Sequence, residues 1–393
     1  MNQHHRIYLD YAAATPVDPA VERAMASFAS EQFANPSSLY AEGRAARQAL
    51  DDARHRIAGC LGAKTSEIVL TAGGTEAVNL AILSVGRQFP GAKVVTTAIE
   101  HQAVLGCVEA LADEGHQTEL VKVNNRGLVE PESIGRAIDD QTVLVCVGLA
   151  NGEIGTIQPL AKIAAIIKKV RSDRVARGVE RPIYLMSDAS ATAGLVSLQV
   201  SRLGIDLLVI NGAKLYGPKL SGALYVRAGT KLKPLIYGGG QEHGLRSGSQ
   251  SVGLAVGLAT APELSEQRRA GETARLSELR DQLKAGLLNI EGVTVNGSER
   301  HGLPNHLNVT IPGVSGEELV YYLDQAGLAV ATGAACSAAS DEPSHVLLAI
   351  GLLPEQANQS LRLTLGRPTT KSDVATGVKL VTDTVKRLRS RPV

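Results

Sequence analysis

The chain has 393 residues, long enough for two or three domains. It carries a net charge of +1, with 44% hydrophobic and 20% charged residues, which fits a soluble globular protein and excludes both a nucleic-acid footprint and an acidic tail. Three Phe, nine Tyr and no Trp leave little for base stacking, and no run reaches the roughly 18 apolar residues of a membrane span. The N-terminus, MNQHHRIYLDYAAATP, shows no charged-then-apolar leader pattern. The four cysteines, Cys60, Cys107, Cys146 and Cys336, have no CxxC spacing, so neither a disulfide framework nor a zinc knuckle is expected and a reducing cytoplasm is.

From residue 65 to 227 short β-rich runs alternate with helical ones. The strands expected in chain order are EIVLT (67–71), KVVTTA (93–98), TELVKV (118–123), TVLVCVGL (142–149), PIYLMSD (182–188), IDLLVIN (205–211) and GALYV (222–226). Helical stretches such as TEAVNLAILSVG, HQAVLGCVEALADEG and PLAKIAAIIKKVRS lie between them. Continuous apolar strands alternating with helices predict a mostly parallel sheet covered on both faces, with ligands at the carboxyl ends of its strands. A long charged amphipathic helix over 262–290 leaves this unit. The segments GVTVNG, HLNVTI, EELVYYLDQAG, LAVATGAAC and LRLTLG, with a final helix over 371–389, predict a second, smaller α/β unit.

Several residues at the predicted strand ends could carry chemistry. TAGGTEAVN (71–79) follows a strand and opens a helix. Its glycines allow close backbone approach, Thr75 can cap the helix, and the free N–H groups suit a phosphate; an ordinary βα turn is the plainer reading. His101 follows the next strand, and Asp188 ends another, where it either caps a helix or pairs with a buried cationic nitrogen. Lys214 follows IDLLVIN, in INGAKLYGPK. It reads either as a solvated loop lysine or as an amine able to form a Schiff base. Cys336 lies among Ala, Gly and Ser in ATGAACSAAS, a setting that suits an exposed, travelling nucleophile, whereas Cys60, Cys107 and Cys146 sit in helical or strand patterns and read as structural. Arg362, on the apolar strand LRLTLG, could clamp a carboxylate.

With these motifs the chain resembles the cysteine desulfurases of iron–sulfur cluster assembly, in the class V aminotransferase superfamily of fold-type I pyridoxal-phosphate enzymes. The likeness runs through YLDYAAATPVDP (8–19), FANPSS (33–38), TAGGTEAVNLAI, IEHQAVL, NGEIGTIQP (151–159), SDASATAG, AKLYGPK with GALYV, GGGQEHGLRSGS (238–249), NHLNVTIPG, GAACSAAS and SLRLTLGR. The long Cys segment is similar to the group whose nucleophile rides on a mobile loop. The resemblance implies a large cofactor-binding domain over 17–262 with a seven-stranded sheet, and a small domain of 1–16 and 263–393 carrying Cys336. It implies that Lys214 forms a Schiff base with pyridoxal 5'-phosphate, that Asp188 pairs with the pyridine nitrogen, and that His101 stacks on the ring. Gly74, Thr75 and Asn211 would lie at the phosphate, joined by Ser249 of a second subunit in a homodimer. Arg362 and Asn151 would bind the substrate, L-cysteine. Cys336 would take the sulfur as a persulfide, leaving alanine, and pass it to an acceptor such as an iron–sulfur scaffold.

The chain also departs from the family pattern. Gly152 stands where the motif NNEIG has its second Asn, Ala191 where a Gln follows the Asp, Asn211 and Ala213 where Ser and His precede the Lys, Tyr40 where NPSSxH has its His, and Ala334 where a Ser precedes the nucleophile. Losing about four donors at roughly 1 kcal/mol each predicts a weaker hold on the cofactor. Two alternatives follow: a sulfur-relay or scaffold homologue with weakened cofactor chemistry, and a selenocysteine lyase-type β-elimination.

Overall fold

The computed structural model describes residues 6–192, 194–333 and 342–391. The chain opens with β1 (Ile7–Tyr8). Seven strands follow: β2 (Ile68–Thr71), β3 (Lys93–Thr97), β4 (Gln117–Val121), β5 (Thr142–Cys146), β6 (Tyr184–Asp188), β7 (Leu207–Asn211) and β8 (Gly222–Val226). They form one sheet in the order β2-β8-β7-β6-β5-β3-β4. Only β8 runs against the rest, pairing antiparallel with β2 and β7. The fold is therefore α/β with a mostly parallel seven-stranded sheet, as expected. Central β5 is buried at all five positions, which is why it reads as an unbroken apolar run.

Two apolar clusters cover the sheet. One includes Leu50, Ile57, Ile163, Leu208 and Leu258. The other includes Val78, Ile82, Leu111, Leu144 and Val209. A separate cluster unites Ile7 and Leu9 with Leu276, Leu283, Val309, Leu361 and Val385. It packs on a three-stranded antiparallel sheet, order β12-β10-β9, made of β9 (Thr294–Asn296), β10 (His306–Thr310) and β12 (Ser360–Thr364). β1 pairs in parallel with β11 (Leu328–Ala329), tying the N-terminal arm to this part of the chain.

The long helix spans Val252–Leu287 with Pro262 inside it, so it begins earlier than the expected 262–290. A proline suits the first turn of a helix, which is why the sequence pattern suggests a start there. The preceding VGLAVGLATA is helical because its small side chains let the helix lie close against its neighbour. A Cβ on Gly257 would stand 2.4 Å from Met25 Sδ. Leu258 and Ala259 join the core of the large sheet, while Leu276, Leu279 and Leu283 join the second core.

Candidate active site

A cleft of about 250 Å³ opens at the carboxyl ends of β2, β3, β5, β6 and β7. It gathers Gly74, Thr75, His101, Asn151, Asp188, Asn211, Lys214 and Arg362, each singled out in the sequence, and is closed over by Ala12, Ala13, His345 and Val346. Ser249 is exposed and does not line the cleft of its own chain. Cys336 lies outside the described residues, as does Ala334. The described residues on either side of that segment do reach the cleft. A Cβ on Gly333 would lie 3.0 Å from Glu153 Oε1. The His345 ring places Nε2 3.0 Å from the Glu100 carbonyl oxygen and Nδ1 3.4 Å from Gln102 Nε2.

The turn after β2 makes the first wall. The helix Gly74–Gly86 is capped by Gly73 at φ +144° with no side-chain hydrogen bond, so Thr75 sits inside the first turn and is not the cap. Its first N–H groups face the cleft end of the sheet, where an anion is favoured. Gly222 of β8 makes this turn possible: a Cβ there would come within 2.7 Å of Gly73 Cα. At the end of β7, Asn211 Oδ1 accepts from the Ala213 N–H at 3.1 Å and so caps the short turn Gly212–Lys214 that presents the lysine.

His101 caps the helix Gln102–Asp113, its Nδ1 accepting from the Ala103 N–H at 3.1 Å. That bond leaves the proton of the neutral ring on Nε2. Desolvation in the cleft, and then the nearby Lys214 ammonium, lowers its pKa from the usual imidazole value. The preceding Glu100 is buried and accepts from the Thr97 hydroxyl at 2.6 Å and the Gly148 N–H at 3.0 Å. Burial lifts its pKa to about 7, with the Asp188 charge adding to the rise. Asp188 Oδ1 accepts from the Ser190 N–H at 2.8 Å. Asn151 is largely committed to backbone: Nδ2 donates to the Ile99 carbonyl of the segment after β3 at 2.8 Å, and Oδ1 accepts from the Glu153 and Ile154 N–H groups of its own loop. Gly152 and Ala191 face each other, since a Cβ on Gly152 would lie 3.6 Å from Ala191 Cβ. The two shortened side chains thus open one shared notch in the wall.

Arg362 is 4% exposed and is held from two sides: Nη2 donates to Asp10 Oδ1 at 2.8 Å and Nη1 to the Gly152 carbonyl at 3.3 Å. Its Nε is buried without a partner. Below it His306 bonds Asn305 through Nδ1 at 2.7 Å; burial, then the Arg362 and Lys214 cations, hold its pKa down to about 3. Glu100, Ser190 and Glu153 line the cleft and Asp10 holds Arg362 from behind it, and motif reading singles out none of the four. Asp10 lies in the quoted YLDYAAATP and Glu100 beside His101, but nothing local shows what either touches. Burial raises Cys60 and Cys107 to about 11 and also raises Cys146 well above the usual thiol value, so none of the three is a ready thiolate. Among the described residues no cluster suits a metal ion.

The Aminotransferase class-V family model matches residues 7–376. A curated relative, "Cysteine desulfurase IscS" of Dictyoglomus turgidum, is 40% identical over 387 residues, covering 98% of this chain and 95% of that one. "Cysteine desulfurase IscS 1" of Archaeoglobus fulgidus is also 40% identical, covering 98% of each chain. A solved structure described as a "NifS-like protein" superposes with a TM-score of 0.89 at 32% identity, over 97% of this chain and 100% of that one. The family match, the shared fold and the end-to-end similarity agree: this chain belongs to the class-V aminotransferase family, in its cysteine desulfurase branch.

Proposed function

We propose that this protein is a pyridoxal-phosphate-dependent cysteine desulfurase. The observation that carries the reading is the convergence of a helix N-terminus without a side-chain cap, a strand-end carboxylate, a lysine and a buried arginine on one cleft. Pyridoxal phosphate presents a phosphate, a ring nitrogen and an aldehyde, and the cleft has a fitting group for each. The Gly74 N-terminus would hold the phosphate. Asp188, with Oδ1 taken by Ser190, has Oδ2 for a protonated ring nitrogen, and Lys214 would hold the aldehyde carbon. When bound, the cofactor supplies an electron sink for bond cleavage at the substrate's carbons. Arg362, steadied by Asp10 and the Gly152 carbonyl, offers Nε and its remaining N–H groups to the α-carboxylate of L-cysteine. His101 keeps a proton on Nε2 at the mouth of the cleft, where it can move to or from the substrate. Overall, L-cysteine and the Cys336 thiol become L-alanine and a Cys336 persulfide, so the sulfur atom is transferred without an external oxidant or reductant.

The persulfide would serve an acceptor such as an iron–sulfur scaffold or a thiolation protein. A homodimer is supported by exposed apolar side chains: Phe33, Leu39, Leu220 and Tyr237 are 73–89% exposed. A cytoplasmic site is supported by the free thiols of Cys60, Cys107 and Cys146; no helix of the described residues is long and apolar enough to cross a membrane. The presence of both Lys214 and Asp188 in the cleft favours the enzyme over a relay homologue without cofactor chemistry. The test is incubation of the purified protein with L-cysteine and a thiol reductant while alanine and sulfide are measured. Equal yields of both are expected, abolished by Lys214→Ala and by Cys336→Ser. Wild-type protein that forms no alanine overturns the proposal.

A further inference from the structure

We infer that Ser190 and Asn211 together supply the side-chain donors of the phosphate site, replacing the family's Ser and His at positions 211 and 213. This rests on the pyridoxal-phosphate reading and specifies how this chain meets it. Three observations converge. Ser190 is 9% exposed as a residue, and its buried Oγ has no hydrogen-bond partner. A buried hydroxyl without a partner is destabilising, so one that persists beside a ligand cleft points to a ligand. That Oγ lies 3.0 Å from where a Cβ on Gly74 would stand, and Asn211 Nδ2 lies 3.4 Å from the same point. The two side chains, one just after β6 and one at the end of β7, therefore meet at the N-terminus of the helix Gly74–Gly86, which has no side-chain cap.

The orientation of Asn211 is set by its own backbone. Oδ1 accepts from the Ala213 N–H, which directs Nδ2 towards the helix terminus. One carboxamide thus joins the turn that presents Lys214 to the place where an anion would sit. Ser190 is held through its N–H on Asp188 Oδ1, so its backbone is fixed while its hydroxyl is free to turn about Cα–Cβ. Because Oγ has no partner, bringing it to face the anion breaks no hydrogen bond. Ala213 can be spared because the donor it lacks is supplied from the neighbouring strand.

The test measures equilibrium binding to the apo protein, by titration calorimetry, for pyridoxal phosphate, for pyridoxal and for inorganic phosphate. Ser190→Ala should weaken pyridoxal phosphate about tenfold, weaken inorganic phosphate to a similar degree, and leave pyridoxal unchanged. Asn211→Asp keeps the Oδ1 cap but replaces the donor by a charge, and should weaken both phosphate ligands more strongly. Thermal unfolding of the apo variants checks that each is folded; a Ser190→Ala chain that does not fold is replaced by Ser190→Cys, which removes the strong donor at nearly the same size. Unchanged phosphate affinity in the Ser190 variants, or equal loss for pyridoxal and pyridoxal phosphate, overturns the assignment. Wild-type binding of inorganic phosphate that depends on Ser190, with no pyridoxal phosphate bound, leaves the anion site standing and removes the cofactor reading instead.

Discussion

Glu100→Gln should change how the stability of the apo protein depends on pH. Glu100 is fully buried, and its carboxyl is raised from 4.5 to about 7 by that burial, with the neighbouring Asp188 charge adding to the rise. The folded protein therefore binds this proton more tightly than the unfolded chain does. The resulting stabilisation is complete below pH 4.5 and is lost as pH rises through about 7. At about 1.4 kcal/mol per pKa unit, the loss is on the order of 3 kcal/mol. His306 acts in the opposite sense, since a pKa near 3 removes stability as pH falls below 6.5. The wild-type profile mixes the two, and the difference between variant and wild type isolates Glu100. Glutamine keeps the shape, and the Thr97 hydroxyl, now a donor at 2.6 Å, can turn to accept from its amide. Urea unfolding from pH 4.5 to 8 should show the variant gaining up to about 3 kcal/mol on wild type as pH rises. Parallel pH profiles for the two proteins would refute the argument, because they would mean that Glu100 binds its proton equally in both states.

Three further outcomes are expected. Asp10→Asn breaks an ion pair whose arginine is 4% exposed and should destabilise the protein by about 3 kcal/mol, while raising KM for L-cysteine more than it lowers kcat, because Arg362 loses its orientation. Gly152→Asn combined with Ala191→Gln refills the shared notch and should slow the loss of pyridoxal phosphate on dialysis, with either change alone giving less; retention no better than wild type would mean that the notch does not border the ring. Gly222→Ala puts a methyl group within 2.7 Å of the Gly73 backbone, which cannot move aside as a side chain can, and should both lower Tm and weaken cofactor binding, read by absorbance titration.

Legibility from the sequence followed the range of the interactions concerned. The sheet could be read because a strand buried on both faces writes its burial as a continuous apolar run, as TVLVC does. The residues at strand ends could be read because a parallel sheet sends all those ends to one edge, so His101, Asp188 and Lys214 converge without any knowledge of their contacts. Asp10 could not be assigned a role, because its partner Arg362 is 352 positions away. Glu153 beside Gly333 was hidden in the same way. The helix start at Val252 was obscured by Pro262, a residue whose local preference is overridden by packing against Met25. Asn211 looked like a loss when compared with a motif. Its geometry shows the carboxamide oxygen occupied and the nitrogen facing the helix terminus, which no pattern of residue types could express.

The N-terminal arm also sets a clock on maturation. Among the described residues β1 pairs with β11, and the Asp10 carboxylate pairs with Arg362. A ribosome adding about 5–20 residues per second leaves that arm waiting roughly 20 to 70 s before its counterpart exists. Only in the later part of that interval, once Val226 has been made, can the large sheet assemble around Lys214, and Arg362 has still to be made then. A nascent chain can thus form the turn at Gly73 before it holds Arg362, and the arm near its start docks only after residues 328–362 have been made.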